Sequence, residues 1–194
     1  TLFKGNQRHV LRDVSTILVK ANQALQTLEK YKSVLDQALI NLSALEFEDL
    51  ATLTEVATVV QRTAMVSRIG KEIELYICEL GSEGRLVNMQ LEELMYNLED
   101  EGLLVLKDYI VHPEQWEKVR DELFGRSYEE LVDLSSVAKE MGYSTQALDA
   151  QVTPRGYRIL TKIPKLPLPV IENLVRRFEN LQNIVGASIE ELDE

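Results

Sequence analysis

From about Asp13 onward, apolar residues return at steps of three and four. Leu18, Ala21, Leu25, Leu28, Leu35, Leu39 and Leu42 form one such series, interrupted at Lys32, and neither glycine nor proline falls between Asp13 and Leu45. That spacing is the period of a helix with one apolar stripe, and the run predicts a single helix of roughly 30 residues, about 45 Å long. A second series, Val56, Val59, Thr63, Val66, Gly70, Ile73, Ile77 and Leu80, follows Thr52, which stands three residues before Glu55 as the opening of a capping box does. Gly70 lies on this stripe, either to let two helices approach closely or as a merely tolerated glycine. Gly81 and Gly84 bracket a turn. A third helix carries Leu91, Leu94 and Leu98 and is expected to run through Gly102 to Tyr109, before Pro113. Two shorter helices are predicted next: Glu114 to Phe124 with Trp116, Val119 and Leu123 inward, and one from the capping box Ser127/Glu130 to Gly142 with Leu131, Leu134, Ala138 and Met141 inward. Long helices of this kind bury their stripes only against one another, so residues 14–143 read as a bundle.

The first dozen residues follow another pattern. Leu2-Phe3, then Lys4-Gly5-Asn6-Gln7, then His9-Val10-Leu11 predicts a β-hairpin, and a lone ribbon of two strands is marginal in water, so residues 1–13 read as the edge of another domain. Residues 144–152 read as a linker. Beyond it the charge changes. Up to residue 150 there are 15 basic and 26 acidic residues, which carry the whole net charge of −11, whereas the last 44 residues hold six of each. Arg155, Arg158, Lys162, Lys165, Arg176 and Arg177 stand against Glu172 alone between Arg155 and Arg177, and Pro164, Pro167 and Pro169 crowd the same stretch. Thr153-Pro154 starts a helix through Leu160, Ile163 to Pro167 is a tight turn, and a second helix holds Ile171, Leu174, Val175 and Phe178. A helix, a tight turn and a helix with cations around the turn can hold a nucleic-acid backbone, through Lys or Arg charge and the amides opening the second helix. Pro167 and Pro169 remove two of those amides, and the plain alternative is a charged helical surface. Leu181, Ile184 and Val185 follow, and Ser188 to Glu191 forms a further capping box.

Composition narrows the function. A length of 194 residues with 45% hydrophobic and 27% charged residues fits one or two globular domains, and the overall acidity disfavours a protein that coats nucleic acid with its whole surface. No stretch reaches the roughly 20 apolar residues of a membrane span, and the start lacks the pattern of a signal peptide. One cysteine, Cys78, excludes an internal disulfide and suits a reducing, cytoplasmic compartment; it reads as a buried or half-buried filler rather than a nucleophile. Trp116 reads as core. His9 and His112 are isolated, and no phosphate-binding glycine loop, metalloprotease motif or nucleophile elbow is present. The acidic groups Glu92/Glu93, Glu99-Asp100-Glu101, Glu129/Glu130 and Glu190/Glu191 read as solvated helix surface; Glu92 and Glu99 could share a helix face, but no histidine accompanies them in the spacing of a metal site. No catalytic, metal-binding or cofactor-binding residue is expected in this chain.

Three strings carry a resemblance. Ser15 to Tyr31 (STILVKANQALQTLEKY), Glu79 to Arg85 (ELGSEGR) with Gln90 to Leu94 (QLEEL), and Pro154 to Pro167 (PRGYRILTKIPKLP) closely resemble the bacterial DNA integrity scanning proteins, a family of diadenylate cyclases, and the likeness spans essentially the whole chain in the family's order. The resemblance implies an N-terminal nucleotidyltransferase domain that condenses two ATP molecules into cyclic di-AMP with a metal such as magnesium. It also implies a helical spine, a C-terminal helix-hairpin-helix domain that binds branched DNA and so restrains the cyclase, and an octamer assembled through the cyclase domains. The family's Asp-Gly-Ala and Arg-His-Arg motifs are absent here, and Arg8-His9 is followed by Val10. The expected architecture is therefore all-α: residues 1–13 as a hairpin remnant of the cyclase domain, 14–143 as spine, 144–152 as linker and 153–194 as a partial helix-hairpin-helix domain. Arg155, Arg158, Lys162, Lys165, Arg176 and Arg177 are its expected DNA contacts. On this reading the chain makes no cyclic di-AMP and binds DNA weakly, because only the first hairpin is in it, with Lys165 and Leu166 where a hairpin prefers glycine. The alternative is an acidic helical module that binds a protein partner or itself, with no DNA role.

Overall fold

The computed structural model describes the backbone of residues 2–193 and the side chains of residues 13–193. Helix α1 (Leu2–Phe47) packs along α2 (Leu53–Leu80), their 46 and 28 residues corresponding to about 69 and 42 Å. Ala21, Leu25, Leu28, Leu35, Leu39 and Leu42 of α1 are buried against Val56, Val59, Thr63, Val66 and Ile73 of α2, so both apolar series form the predicted stripes. The Thr52 amide donates to the Glu55 carboxylate at 2.9 Å, which closes the start of α2 as the sequence predicts. The hairpin expected over Leu2 to Leu11 lies outside the residues whose side chains are described; no strand occurs among the described residues.

The third predicted helix is two. Helix α3 (Arg85–Met95) ends at Tyr96, and α4 (Leu98–Tyr109) starts after Asn97, whose left-handed backbone (φ 57°) turns the chain. Asn is one of the few side chains that tolerates this region. Glu92 and Glu99 therefore stand on different helices. The acidic first turn of α4, Glu99 to Glu101, instead faces the positive end of that helix's dipole.

Close approach of helices falls at Gly102, not Gly70. A Cβ at Gly102 would stand 2.0 Å from Thr63 Oγ1, so α4 rests its backbone directly on α2. At Gly70 the nearest atoms belong to the flexible Met95 side chain, at 3.2 Å and beyond.

Helix α5 (Trp116–Phe124) follows a short 3-10 turn. The predicted helix from Ser127 to Gly142 is broken into α6 (Tyr128–Leu131) and α7 (Leu134–Glu140), because Asp133 caps a new start by accepting from the Ser135 amide at 3.0 Å. Ser127 and Glu130 make the expected capping box. Trp116 packs against the core with the Lys107 ammonium 4.2 Å and the Arg120 guanidinium 5.0 Å from its ring centre. Cys78 is exposed, contrary to expectation, because one residue past Ile77 the helix has already turned it off the stripe.

Residues 144–152 are bound to the bundle. The amides of Leu53 and Thr54 donate to the carbonyls of Ala150 and Leu148 at 2.9 and 3.0 Å, and Val152 donates to Ala51 at 3.0 Å. Beyond them lie α8 (Tyr157–Thr161), α9 (Leu168–Phe178), α10 (Leu181–Gly186) and α11 (Ile189–Asp193). Leu160, Ile171, Val175 and Ile184 form a small core of their own, separate from that of the bundle.

Candidate nucleic-acid interface

The six cations singled out from the sequence divide into two groups, and α8 decides which residue joins which. Gly156 has φ 119°, a conformation that L side chains rarely adopt, and this bend presents the first amides of α8 to the bundle. Asp108, near the end of α4, receives them: Oδ1 accepts from Gly156 at 3.1 Å and Tyr157 at 2.7 Å, and Oδ2 accepts from Arg158 at 3.3 Å. A residue about fifty positions away thus caps the helix. Burial pushes the Asp108 carboxyl up from 3.8 to about 7, against the pull of the three amides and with some help from the Glu46 charge.

At the second residue of α8, Arg158 points inward. It is 2% exposed, and its Nη2 donates to Glu46 Oε2 at 2.8 Å; Glu46 is also buried and accepts from the Tyr109 hydroxyl at 2.6 Å. Burial first, and then the Glu46 charge, holds that hydroxyl in its protonated form well above the ordinary range. Tyr143 in turn donates to the Tyr109 carbonyl. Arg155 is half-buried, and its Nη1 donates to the Lys107 carbonyl at 3.0 Å. Arg158 and Arg155 therefore fasten the C-terminal helices to α1 and α4. Arg158, one of the expected phosphate contacts, therefore lies buried at this join, where loss of either partner of the pair would strand the other charge.

Lys162, Lys165, Arg176 and Arg177 are exposed. Lys162 caps the end of α8, and Lys165 sits in the turn with φ 64°, the left-handed conformation for which hairpins prefer glycine. Arg176 and Arg177 occupy the last turn of α9, about 15 Å from the turn along the helix axis, where cations complement the helix dipole. The Arg177 guanidinium lies over the Phe178 ring, 5.4 Å from its centre. The amides of α9 contribute little toward an anion. Pro167 and Pro169 have none, and those of Val170 and Ile171 donate to the Pro167 carbonyl at 3.0 and 3.2 Å. A phosphate at this turn would be held by lysine charge.

The buried Glu46–Tyr109–Asp108–Arg158 set has no conspicuous sequence signal. Its acidic members look like ordinary bundle surface, and only the unusual pair Asp108-Tyr109 at a helix end, facing Gly156 by topology, could have pointed to it. Among the described residues, no group of three or more His, Cys, Asp or Glu side chains is arranged to hold a metal ion. No described helix is long and apolar enough to cross a membrane.

Comparison with known proteins bears on both halves of the chain. The family described as the DisA bacterial checkpoint controller linker region matches residues 11–149. The DNA integrity scanning protein DisA of Carboxydothermus hydrogenoformans is 56% identical over 198 residues, covering 100% of this chain and 56% of its own length. Those of Symbiobacterium thermophilum and Clostridium botulinum are 55% and 51% identical, again over 100% of this chain and 55% of theirs. The chain thus spans little more than half the length of these relatives.

Proposed function

Because this chain belongs to the family of bacterial DNA integrity scanning proteins, with the family's linker region at its centre, we propose that it is the spine and DNA-reading arm of a DNA-damage checkpoint diadenylate cyclase. In this reading the whole protein joins two ATP molecules into cyclic di-AMP with a divalent metal, works in the cytoplasm as an octamer, and is restrained when branched DNA engages the arm. The present chain supplies rigidity and contact, not chemistry.

The observation that carries the reading is the division of the cations. Arg155 and Arg158 are spent on the spine, while Lys162 and Lys165 are left outward on a turn between two helices. Lys162, Lys165, Arg176 and Arg177 would meet backbone phosphates, which carry no sequence information, so affinity would depend on DNA shape and on salt. A force applied at the turn reaches α8 within a few residues. From there it passes through the Asp108 cap and the Arg158–Glu46 pair into α4 and α1, whose 46 residues lead back toward the N-terminus. The division of residues 14–143, 144–152 and 153–194 into spine, linker and partial helix-hairpin-helix unit is part of this proposal, and the separate small core after residue 153 supports it.

The test is binding of this chain to a four-way DNA junction at low ionic strength, followed by fluorescence anisotropy. Weak, salt-sensitive binding that Lys165→Glu abolishes is expected. Binding by Lys165→Glu with unchanged affinity would remove the turn from the site.

A further inference from the structure

A cleft of about 560 Å³ opens where α1, the α3–α4 turn and α8 meet, lined among others by Lys32, Ile40, Tyr96, Glu101, Arg158 and Lys162. At its base the Arg158 guanidinium uses Nη2 on Glu46, while Nε and Nη1 are buried with no hydrogen-bond partner. A buried guanidinium edge without an acceptor is costly, and native proteins rarely keep one unless something fills it. Beyond Glu46, the anion that approaches it is Glu101. One of its oxygens stands 3.8 Å from Arg158 Nη1 and the other 3.8 Å from Lys162 Nζ, so one carboxylate is shared between two cations and is within hydrogen-bond reach of neither.

We propose that this cleft is a phosphate-binding site, in which the phosphate oxygens bind Arg158 Nη1 and Lys162 and the Glu101 carboxylate swings out. Two cations converging on one oxyanion position, with a preformed fork beneath, match a group that has more oxygens and more charge than a carboxylate. Arg158 is tied to Glu46 of α1 and Lys162 ends α8, so a bound phosphate sits at the join between the spine and the C-terminal helices. Exposed Tyr96 and Ile40, at 77% and 62%, give the rim an apolar face for whatever the phosphate carries. Asp36 on the same rim opposes binding and, with Glu101, sets a moderate affinity. The phosphate is that of a free nucleotide, and the site shares only Lys162 with the DNA reading above.

The probe is inorganic phosphate, titrated into the 194-residue chain at constant ionic strength and followed by the NMR signals of Asn97, Lys162 and the Arg158 Nε–H. Saturable shifts are expected in all three. Glu101→Gln removes the internal competitor and should tighten binding roughly fivefold, whereas Lys162→Gln should weaken it by a similar factor. A gain of affinity in Glu101→Gln is an effect that a merely structural role for this carboxylate would not produce. Absence of saturable shifts in both the unaltered chain and Glu101→Gln overturns the proposal, as does binding that Lys162→Gln leaves unchanged. Parallel titrations with adenosine monophosphate and with a short DNA duplex identify the source: saturation of the same signals by the nucleotide supports the site, and saturation by the duplex alone or by neither contradicts it.

Discussion

Arg158 and Glu46 are 112 residues apart in sequence and 2.8 Å apart in space, each 2% exposed. The pair joins α8 to the end of α1 and fixes how the C-terminal helices sit on the spine. Buried pairs are often no better than a packed apolar pair, but losing one member strands the other charge, at a cost of about 3–5 kcal/mol. Arg158→Met should therefore lower the urea midpoint sharply, and the double variant Glu46→Leu/Arg158→Met should recover most of the loss. A single variant as stable as the parent protein would show that the pair carries no positional role.

Asp108 gives a pH signature. Its carboxyl titrates near 3.8 when the chain is unfolded and near 7 when folded, so the fold binds the proton more tightly and takes one up between those values. The resulting stabilisation is complete below about pH 4, declines as pH rises, and is gone above about pH 7. Urea midpoints should accordingly fall from weakly acidic to neutral pH. Asp108→Asn, neutral at every pH and still able to accept from Gly156 and Tyr157, should flatten that slope. Asp108→Ala leaves three amides without their acceptor and should destabilise at every pH, by about 2–4 kcal/mol. A slope that survives in Asp108→Asn would assign the titration elsewhere.

Gly102→Ala should be among the most damaging single methyl additions in the bundle. The new Cβ meets Thr63 Oγ1, Cγ2 and Cβ at 2.0, 2.4 and 2.7 Å, and overpacking of this kind costs about 1–3 kcal/mol. Adding Thr63→Ala clears the first two contacts but leaves the third, so thermal melting of the double variant should show partial rescue only. Gly70→Ala, which meets the movable Met95 side chain, should be milder.

The bundle was legible in the sequence because its information is local. Leu28, Leu35 and Leu42, or Val56, Val59 and Val66, announce a buried stripe by spacing alone, and Thr52/Glu55, Ser127/Glu130 and Ser188/Glu191 announce helix starts through capping boxes that all form. The breaks were harder to read. Asn97 turns the chain through a left-handed conformation that apolar periodicity does not encode, so Leu94 and Leu98 read as one helix. The interface was legible as a charge excess but not as a geometry. Whether an arginine faces solvent or a carboxylate 112 residues away depends on topology, and Arg155, Arg158 and Lys162 look alike in a string. The same blindness hid Gly102, whose partner Thr63 lies on another helix.

The central claim is that Lys162 and Lys165 face DNA while Arg158 faces the spine, and the salt dependence of junction binding tests it most directly. Each phosphate contact adds about one to the slope of log affinity against log salt. Lys165→Gln and Lys162→Gln should each lower that slope by about one, and Arg158→Lys should leave it unchanged even where it lowers stability. A slope lowered by Arg158→Lys and untouched by Lys165→Gln would contradict the account.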